Sequence, residues 1–459
     1  LVIAGKIIRL DGMKVLIFHG YMLRGTGSNI YNANLAPALA RLGHEVHLLC
    51  QDREVELPGV QIHNPDIGGL LPVYVKDPYD GFEVKAFQEL SEAELDRYLD
   101  ANVAAVRAVA EGAGGIDAGL ANHLVMGPSI LAHAAVSPHA VKVHGSDLLY
   151  TVRPHPDRFV PFAEEGVRSA SGVLVGSRHT AESLWETVPG VADLRDKTRL
   201  GPPGVDVDQF RPPASREDNL VAYLGKLIVS KGVDLLLSAW PLVHARNPQA
   251  RLEIAGFGEF EEGLRRLGAA LDRGDLDDAL EVARLGRALE GGEEAPLAIL
   301  SAFLADPPAG YVDSARAAAG SVEFVGRLEH DEVSAFLPRA DALVMSSTYP
   351  EAFGMVAVEA AACGTFPVSA GHSGMLEVSH QLAAALPPEA AGLVSFPVEA
   401  GAVEAIAARL DTWLGLPAEQ RRQSREALVA TTRQLWSWEG VARGVLAASA
   451  GDLDSLPLP

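Results

Sequence analysis

The sequence predicts an α/β protein of two domains, each a parallel sheet wrapped by helices. Its 459 residues exceed one ordinary domain, and 48% of them are apolar, enough for two sizeable cores. Apolar strand-like runs alternate with helical runs from Met13 to Trp185, and the alternation restarts at Leu220. Between the two sets lies Leu200–Pro213, LGPPGVDVDQFRPP, whose prolines interrupt any helical or strand period. It reads as a domain link, with the domains at residues 13–205 and 206–430.

The first half opens on Met13–Phe18, an apolar strand followed by the Gly-rich loop His19–Gly27. A helix follows from about Ser28 to Leu42, closed by Gly43, and then the strand Glu45–Cys50. The loop therefore sits at a strand's carboxyl end, where open parallel sheets bind ligands. Gly20, Gly25 and Gly27 do not spell G-x-G-x-x-G, which argues against a dinucleotide site. Arg24 in this loop is either a solvated charge or an acceptor contact. Pro58–Asp80 is Gly- and Pro-rich and reads as a long loop, and Ser91–Gly112 is an amphipathic helix with an S-x-x-E start, Ser91 to Glu94. The strand-like runs Ile116–His123 and Ala140–His144 each end in a histidine, a position that is more often structural than functional. Gly172–Ser177 is the last strand of this half, and Ser177 starts a helix.

The second half opens on Leu220–Leu224 and the loop Gly225–Gly232, which carries Lys226 and Lys231. These are either surface charges or a diphosphate clamp at the edge of the second sheet. Leu252–Gly258 is a strand ending in Gly256 and Gly258. Residues 259–320 form an acidic insert that reads as two helices split by Gly291-Gly292, serving as a lid, an oligomer contact or decoration. Val322–Val325 and Ala342–Ser346 are strands flanking a helix at Asp331–Arg339. The helix Met355–Cys363 follows, stopped by Gly364, and then the strand Phe366–Ala370. Gly354 lets a ligand approach the helix's unpaired N–H groups, with Glu351 just before the helix. Glu359 lies in the apolar run VAVEAAACG, where a buried, paired carboxylate is expected. Amide donors beside two carboxylates suit anionic and hydroxylated groups. Helices near Val403–Leu414 and Ala418–Ser449 complete the chain.

The formal charge of −22 argues against nucleic acid and anionic lipid as partners, so a phosphate site must be locally basic. Cys50 and Cys363 sit in unrelated segments, which implies no disulfide framework and fits the cytoplasm. Leu1–Gly12 carries Lys6, Arg9 and Asp11 and lacks a long apolar core, so no signal peptide is expected and Met13 reads as the natural start. No run approaches the about 18 apolar residues of a membrane span.

Glu351, Phe353, Gly354, Glu359, Ala362, Gly364, Pro367 and Val368 together resemble the signature of the retaining glycosyltransferases of family 4. Val143–Asp147 (VHGSD) resembles its acceptor-side motif, and Gly204, Val205, Asp206, Phe210 and Pro212 its interdomain link. The resemblance spans nearly all of residues 13–449. It implies the GT-B architecture, two Rossmann-like domains facing across a cleft, with the last helix (residues 431–459) returning to the first. It implies metal-independent sugar transfer, with retention, from a UDP- or GDP-linked donor to a sugar, polyol or other small-molecule acceptor, and no cofactor. His144 would then reach the transferred sugar, Glu351 its hydroxyls and Glu359 the ribose, while Lys226 and Lys231 hold the diphosphate. Gly225, Gly256, Phe353, Gly354, Met355 and Val356 would line the donor, and Arg24, His123 and Asp147 the acceptor. The family has G-G before its loop tyrosine where this chain has Thr26-Gly27, so Gly27 keeps the donor-side position. Two other readings stay open: an epimerase or phosphorylase of the same architecture, and a non-catalytic sugar-nucleotide binding protein.

Overall fold

Buried parallel strands need apolar side chains on both faces, and the strands of this chain supply them. The computed structural model describes residues 2–3, 6–7, 12–25, 27–76 and 79–459, so the readings of Arg9, Asp11 and Thr26 lie outside the described residues. The chain divides into two compact units, residues 1–204 with 436–459 and residues 205–435.

The first unit runs β1 (Lys14–Phe18), α1 (Gly27–Arg41), β2 (Glu45–Leu49), β3 (Val60–His63), β4 (Leu70–Val73), β5 (Glu83–Ala86) and α2 (Glu92–Gly112). It continues through β6 (Ala118–Asn122), α3 (Gly127–His133), β7 (His139–Lys142), α4 (Pro156–Ser169), β8 (Gly172–Val175), α5 (Arg178–Thr187) and β9 (Thr198–Leu200). Seven strands form one parallel sheet in the order β9-β8-β7-β6-β1-β2-β3. Leu16 and Phe18 of β1 join one apolar core, while Val15 and Ile17 join the other across the sheet. α2 starts at a capping box, in which Ser91 Oγ accepts the Glu94 N–H and the Glu94 carboxylate accepts the Ser91 N–H.

Pro58–Asp80 is not a plain loop. It contains β3, which adds an edge strand to the main sheet, and β4, which pairs in parallel with β5. Both strands have four residues, too short to show a period, and Pro72 is tolerated in β4 because a two-stranded ribbon has only edges.

The second unit runs β10 (Leu220–Leu224), α6 (Val233–Arg246), β11 (Arg251–Ala255), α7 (Glu261–Arg273), α8 (Leu276–Leu285), α9 (Ala298–Ala305) and α10 (Tyr311–Ala317). Then come β12 (Val322–Gly326), α11 (His330–Phe336), β13 (Ala342–Met345), α12 (Met355–Ala362), β14 (Phe366–Ala370), α13 (Ser373–Ala383), β15 (Ser395–Phe396), α14 (Ala402–Gly415) and α15 (Ala418–Leu435). Its six parallel strands have the order β12-β11-β10-β13-β14-β15.

The insert holds four helices, α7 to α10, rather than two. Gly274 ends α7 in the left-handed region at φ 66°, and Asp275 caps α8 by accepting the Asp278 N–H at 3.1 Å. The insert is an integral layer of its unit. Tyr311 Oη donates to the Ser238 carbonyl of α6 at 2.8 Å, and Phe303 meets the Tyr311 ring edge-on at 5.0 Å.

The helical tail breaks at Trp436, where Ser437 caps a separate helix, α16 (Trp438–Ala450). α16 packs on α1 and on the strands β6, β7 and β8 of the first unit. Gly204 makes room for it, since a Cβ there would lie 2.6 Å from the Trp438 ring. Among the described residues, no helix is long and apolar enough to cross a membrane.

The start of β13 is fixed by a buried charge. The Asp341 carboxylate accepts from the Asn219 N–H at 3.1 Å, from Arg421 at 2.7 Å and from Arg425. Asp341→Ala leaves both guanidiniums uncompensated, and chemical denaturation is expected to show a loss of about 3–5 kcal/mol. A loss below about 1 kcal/mol, the worth of a surface pair, would contradict this role.

Candidate functional site

In the second unit the strand order reverses between β10 and β13, so the loops leaving their carboxyl ends part and open a crevice. The first loop carries Lys231 in the 3-10 turn Val229–Lys231, and the second carries Glu351. Backbone contacts stitch the loops together. Thr348 N–H donates to the Ser230 carbonyl at 2.9 Å, and Ser346 Oγ to the Lys231 carbonyl at 3.1 Å. Gly232, at φ 62°, permits this approach, because a Cβ there would sit 2.1 Å from the Ser346 carbonyl oxygen.

Lys231 Nζ donates to Glu351 Oε1, which also accepts from Ser347 Oγ at 2.6 Å. The pair remains open to solvent, with 30% of the lysine side chain and 25% of the glutamate exposed. Glu351 is held from behind as well. Its N–H donates to Ser373 Oγ at 2.9 Å, and the Ser373 hydroxyl contacts His372 Nδ1 at 3.0 Å. His372 Nε2 lies 2.8 Å from the Ser347 carbonyl, which can only accept. The imidazole proton is therefore on Nε2, and Nδ1 accepts from the Ser373 hydroxyl. Sequence reasoning missed Ser347, His372 and Ser373; the signal available was the pair His372-Ser373 just beyond the β14 end.

α12 begins at Gly354, which offers no side-chain cap, so the leading amides of Met355 and Val356 have no intrahelical acceptor. A Cβ on Gly354 would make only ordinary contact, with Met375 Cγ at 3.6 Å, so no close packing in the protein itself demands a glycine there. Phe353 is partly exposed beside it. The Glu359 carboxyl, partly buried on α12, takes no hydrogen bond or ion pair among the described residues, unlike the paired carboxylate expected. Burial pushes its carboxyl up to about 8.

Gly225 and Gly256 are explained by contact with each other, since a Cβ on Gly256 would lie 1.9 Å from the Gly225 carbonyl oxygen. Gly258 likewise closes onto Leu227, at 2.4 Å. Lys226 is exposed in the same loop, its carbonyl accepting from Tyr223 Oη at 3.0 Å.

In the first unit, β1, β6 and β7 deliver His19, His123 and His144 to one sheet edge. A directed hydrogen-bond chain runs through them. Asn122 Nδ2 donates to the Phe18 carbonyl at 3.2 Å and to Asn32 Oδ1 at 2.8 Å, so its Oδ1 must accept the His144 Nε2–H at 2.8 Å. Asn32 Nδ2 donates to the Ser28 carbonyl at 2.9 Å and to His19 Nδ1 at 3.0 Å, which puts the His19 proton on Nε2. That nitrogen donates to Asn29 Oδ1 at 2.9 Å and to the Met22 carbonyl at 3.0 Å. Burial holds both rings neutral, His19 down to about 4 and His144 well below its usual value, with the neighbouring His123 adding to the latter. Tyr31 meets His144 edge-on at 5.1 Å and is itself backed by Trp438 at 5.5 Å. Neither Asn32 nor Asn122 stood out in the sequence.

Asp147 braces the edge instead of facing outward. Its buried carboxylate accepts the N–H groups of Leu124 and, at 2.8 Å, Gly145. It lies 3.9 Å from His123, a buried residue at φ 68° whose two ring nitrogens find no hydrogen-bond partner among the described residues. Arg24 is engaged by Asp52 at 3.4 Å and Glu54 at 3.1 Å. Gly27 is the exposed first residue of α1. The structure thus brings Lys231 and Glu351 together in one unit, and His123, His144 and Asp147 in the other.

A family model described as Glycosyltransferase Family 4 matches residues 25–209, and one described as Glycosyl transferases group 1 matches residues 313–429. The chain is 31% identical over 303 residues to a glycogen synthase of Mycobacterium tuberculosis, covering 63% of this chain and 58% of that protein. It is 29% identical over 266 residues to a D-inositol 3-phosphate glycosyltransferase of Segniliparus rotundus, covering 55% and 46%. It therefore spans about half the length of these curated relatives. In fold it is similar to a sucrose-phosphate synthase of Thermosynechococcus elongatus, with a TM-score of 0.60, 20% identity and 96% and 98% of the two chains covered.

The Glu359 carboxyl keeps its proton to about 8 when folded, against 4.5 when unfolded. Between those values the folded state binds the extra proton, so this group makes stability fall as pH rises. Glu359→Gln is neutral throughout, and its thermal unfolding is expected to lose less stability than wild type from pH 5 to pH 8.5. Parallel curves for the two proteins would contradict the raised value.

Proposed function

The chain belongs to glycosyltransferase family 4, and from that premise we propose that it is a hexosyltransferase. It moves a sugar from a nucleotide diphosphate donor to an acceptor hydroxyl, with retention at the anomeric carbon and without a metal ion. The observation that carries this reading is the Lys231–Glu351 pair in the crevice between β10 and β13, beside the uncapped start of α12.

A lysine ammonium has three donors. One can stay on Glu351 while the others turn to non-bridging oxygens of the donor diphosphate. The leading amides of α12 supply further donors to the same anion. As the bond from the anomeric carbon to the phosphate oxygen breaks, negative charge grows on the diphosphate, where these groups already point. The acceptor oxygen forms the new bond on the same face, and its proton passes to the departing phosphate oxygen. No separate base is needed.

Glu351, fixed by Ser347 and Ser373, is assigned to hydroxyls of the transferred sugar. Glu359 is assigned to the ribose diol, whose two hydroxyls supply the donors its carboxylate lacks. His144, fixed with its proton on Nε2, is assigned to sugar-hydroxyl recognition in the first unit. The donor is UDP- or GDP-linked, and the acceptor is a sugar, polyol or other small molecule. The cytoplasm suits Cys50 and Cys363, which are buried and unpaired.

Lys231→Ala is expected to lower transfer by at least ~100-fold, the size seen on losing a transition-state donor. Turnover assayed with UDP- and GDP-sugars tests this, and near-normal turnover in the variant would sink the clamp.

A further inference from the structure

The insert meets the Lys231 loop at its root, where the Phe260 N–H donates to the Leu227 carbonyl at 2.9 Å, and at its turn through one carboxylate. Glu290 Oε2 accepts the Val229 N–H at 2.8 Å, and the Glu290 side chain is only 15% exposed. Val229 opens the 3-10 turn that ends at Lys231, and the residue before it, Ile228, provides no side-chain cap. Glu290 thus supplies from 61 residues away the acceptor that a local Ser, Asp or Asn usually supplies.

The insert is built to hold that carboxylate in place. Gly286, at φ 48°, lets the chain fold onto residue 295, since a Cβ there would lie 2.0 Å from the Ala295 carbonyl oxygen. Arg287 N–H donates to Ala295 at 3.2 Å and Leu297 N–H to Ala283 at 2.8 Å, closing the turn. Arg287 Nε lies 3.4 Å from the other oxygen of Glu290. Beside this turn the insert leaves a hollow of about 540 Å³, lined by Glu259, Arg287, Glu290 and residues 291–295. The insert falls outside both matched family segments over residues 259–312.

We propose that Glu290 is a positioning residue, by which the insert caps the turn carrying Lys231 and sets that ammonium for the donor diphosphate. The inference rests on the proposed function for its ligand, but the cap itself does not. Amide hydrogen exchange on the full chain reads the cap, and calorimetric titration with UDP, GDP and ADP reads its effect on binding.

Glu290→Ala is expected to raise exchange in peptides spanning residues 228–232 by roughly tenfold, the worth of one charge-assisted hydrogen bond. The variant's Tm is expected to stay near that of wild type, and its nucleotide affinity to fall by a similar factor. Glu290→Gln keeps an acceptor oxygen and is expected to restore much of both. Arg287→Ala removes only the long, largely exposed contact to the other oxygen of Glu290 and is expected to change both by less than Glu290→Ala does. Should Glu290→Ala fail to fold, Val229→Pro removes the donor instead. Ile228 is extended and Val229 starts the turn, positions that suit a proline and its predecessor. Its nucleotide affinity is expected to fall as in Glu290→Ala. Unchanged exchange and affinity in Glu290→Ala, or unchanged affinity in Val229→Pro, would overturn the proposal. Faster exchange in a protein that binds none of the three nucleotides would instead uphold the cap and reject the ligand.

Discussion

Two loops meet at Lys231 and Glu351 only because residue 232 has no side chain. Any Cβ there would collide with the Ser346 carbonyl, and the loops would part. The reversal of strand order between β10 and β13 brings the loops near each other, and Gly232 lets them touch. The ammonium and carboxylate then satisfy one another while leaving donors and acceptors to spare. Ser347 Oγ holds the carboxylate, Ser373 Oγ takes the Glu351 N–H and His372 ties the Ser347 carbonyl, so the pair is held by three segments.

The first unit solves a similar problem with neutral groups. Burying His19, Asn32, Asn122 and His144 costs nothing like a buried charge, provided each donor meets an acceptor. The Phe18 and Ser28 carbonyls, which only accept, fix the direction of the whole chain of bonds. The His144 tautomer is thereby set by groups that never touch it. α16 adds a mechanical support, since Trp438 backs Tyr31 and Tyr31 backs His144. His123 is the strained member, with a left-handed backbone and two ring nitrogens that take no hydrogen bond among the described residues.

Much of the fold was legible because buried parallel strands are continuously apolar. Lys14–Phe18, Leu220–Leu224 and Phe366–Ala370 all stand out against their flanking glycines and prolines. β3 and β4 did not, being four residues each and partly exposed or interrupted by Pro72. The insert's four helices read as two because the break at Gly274-Asp275 lies inside an otherwise unbroken charged run. Lys231 and Glu351 were each readable as loop residues after a strand. Their pairing across 120 residues was not, because it depends on which strands are neighbours. The Glu290 contact was invisible for the same reason, and also because residues 259–312 lie outside both matched family segments. Glu359 was expected to be paired, and only the structure shows its carboxyl unmet.

The most direct measurement is calorimetric titration of the wild-type chain and Lys231→Ala with UDP, GDP and ADP. Micromolar binding of one nucleotide by wild type, lost in the variant, is the expected result. Binding of none, or equal binding by both proteins, would contradict the donor site placed at Lys231 and Glu351.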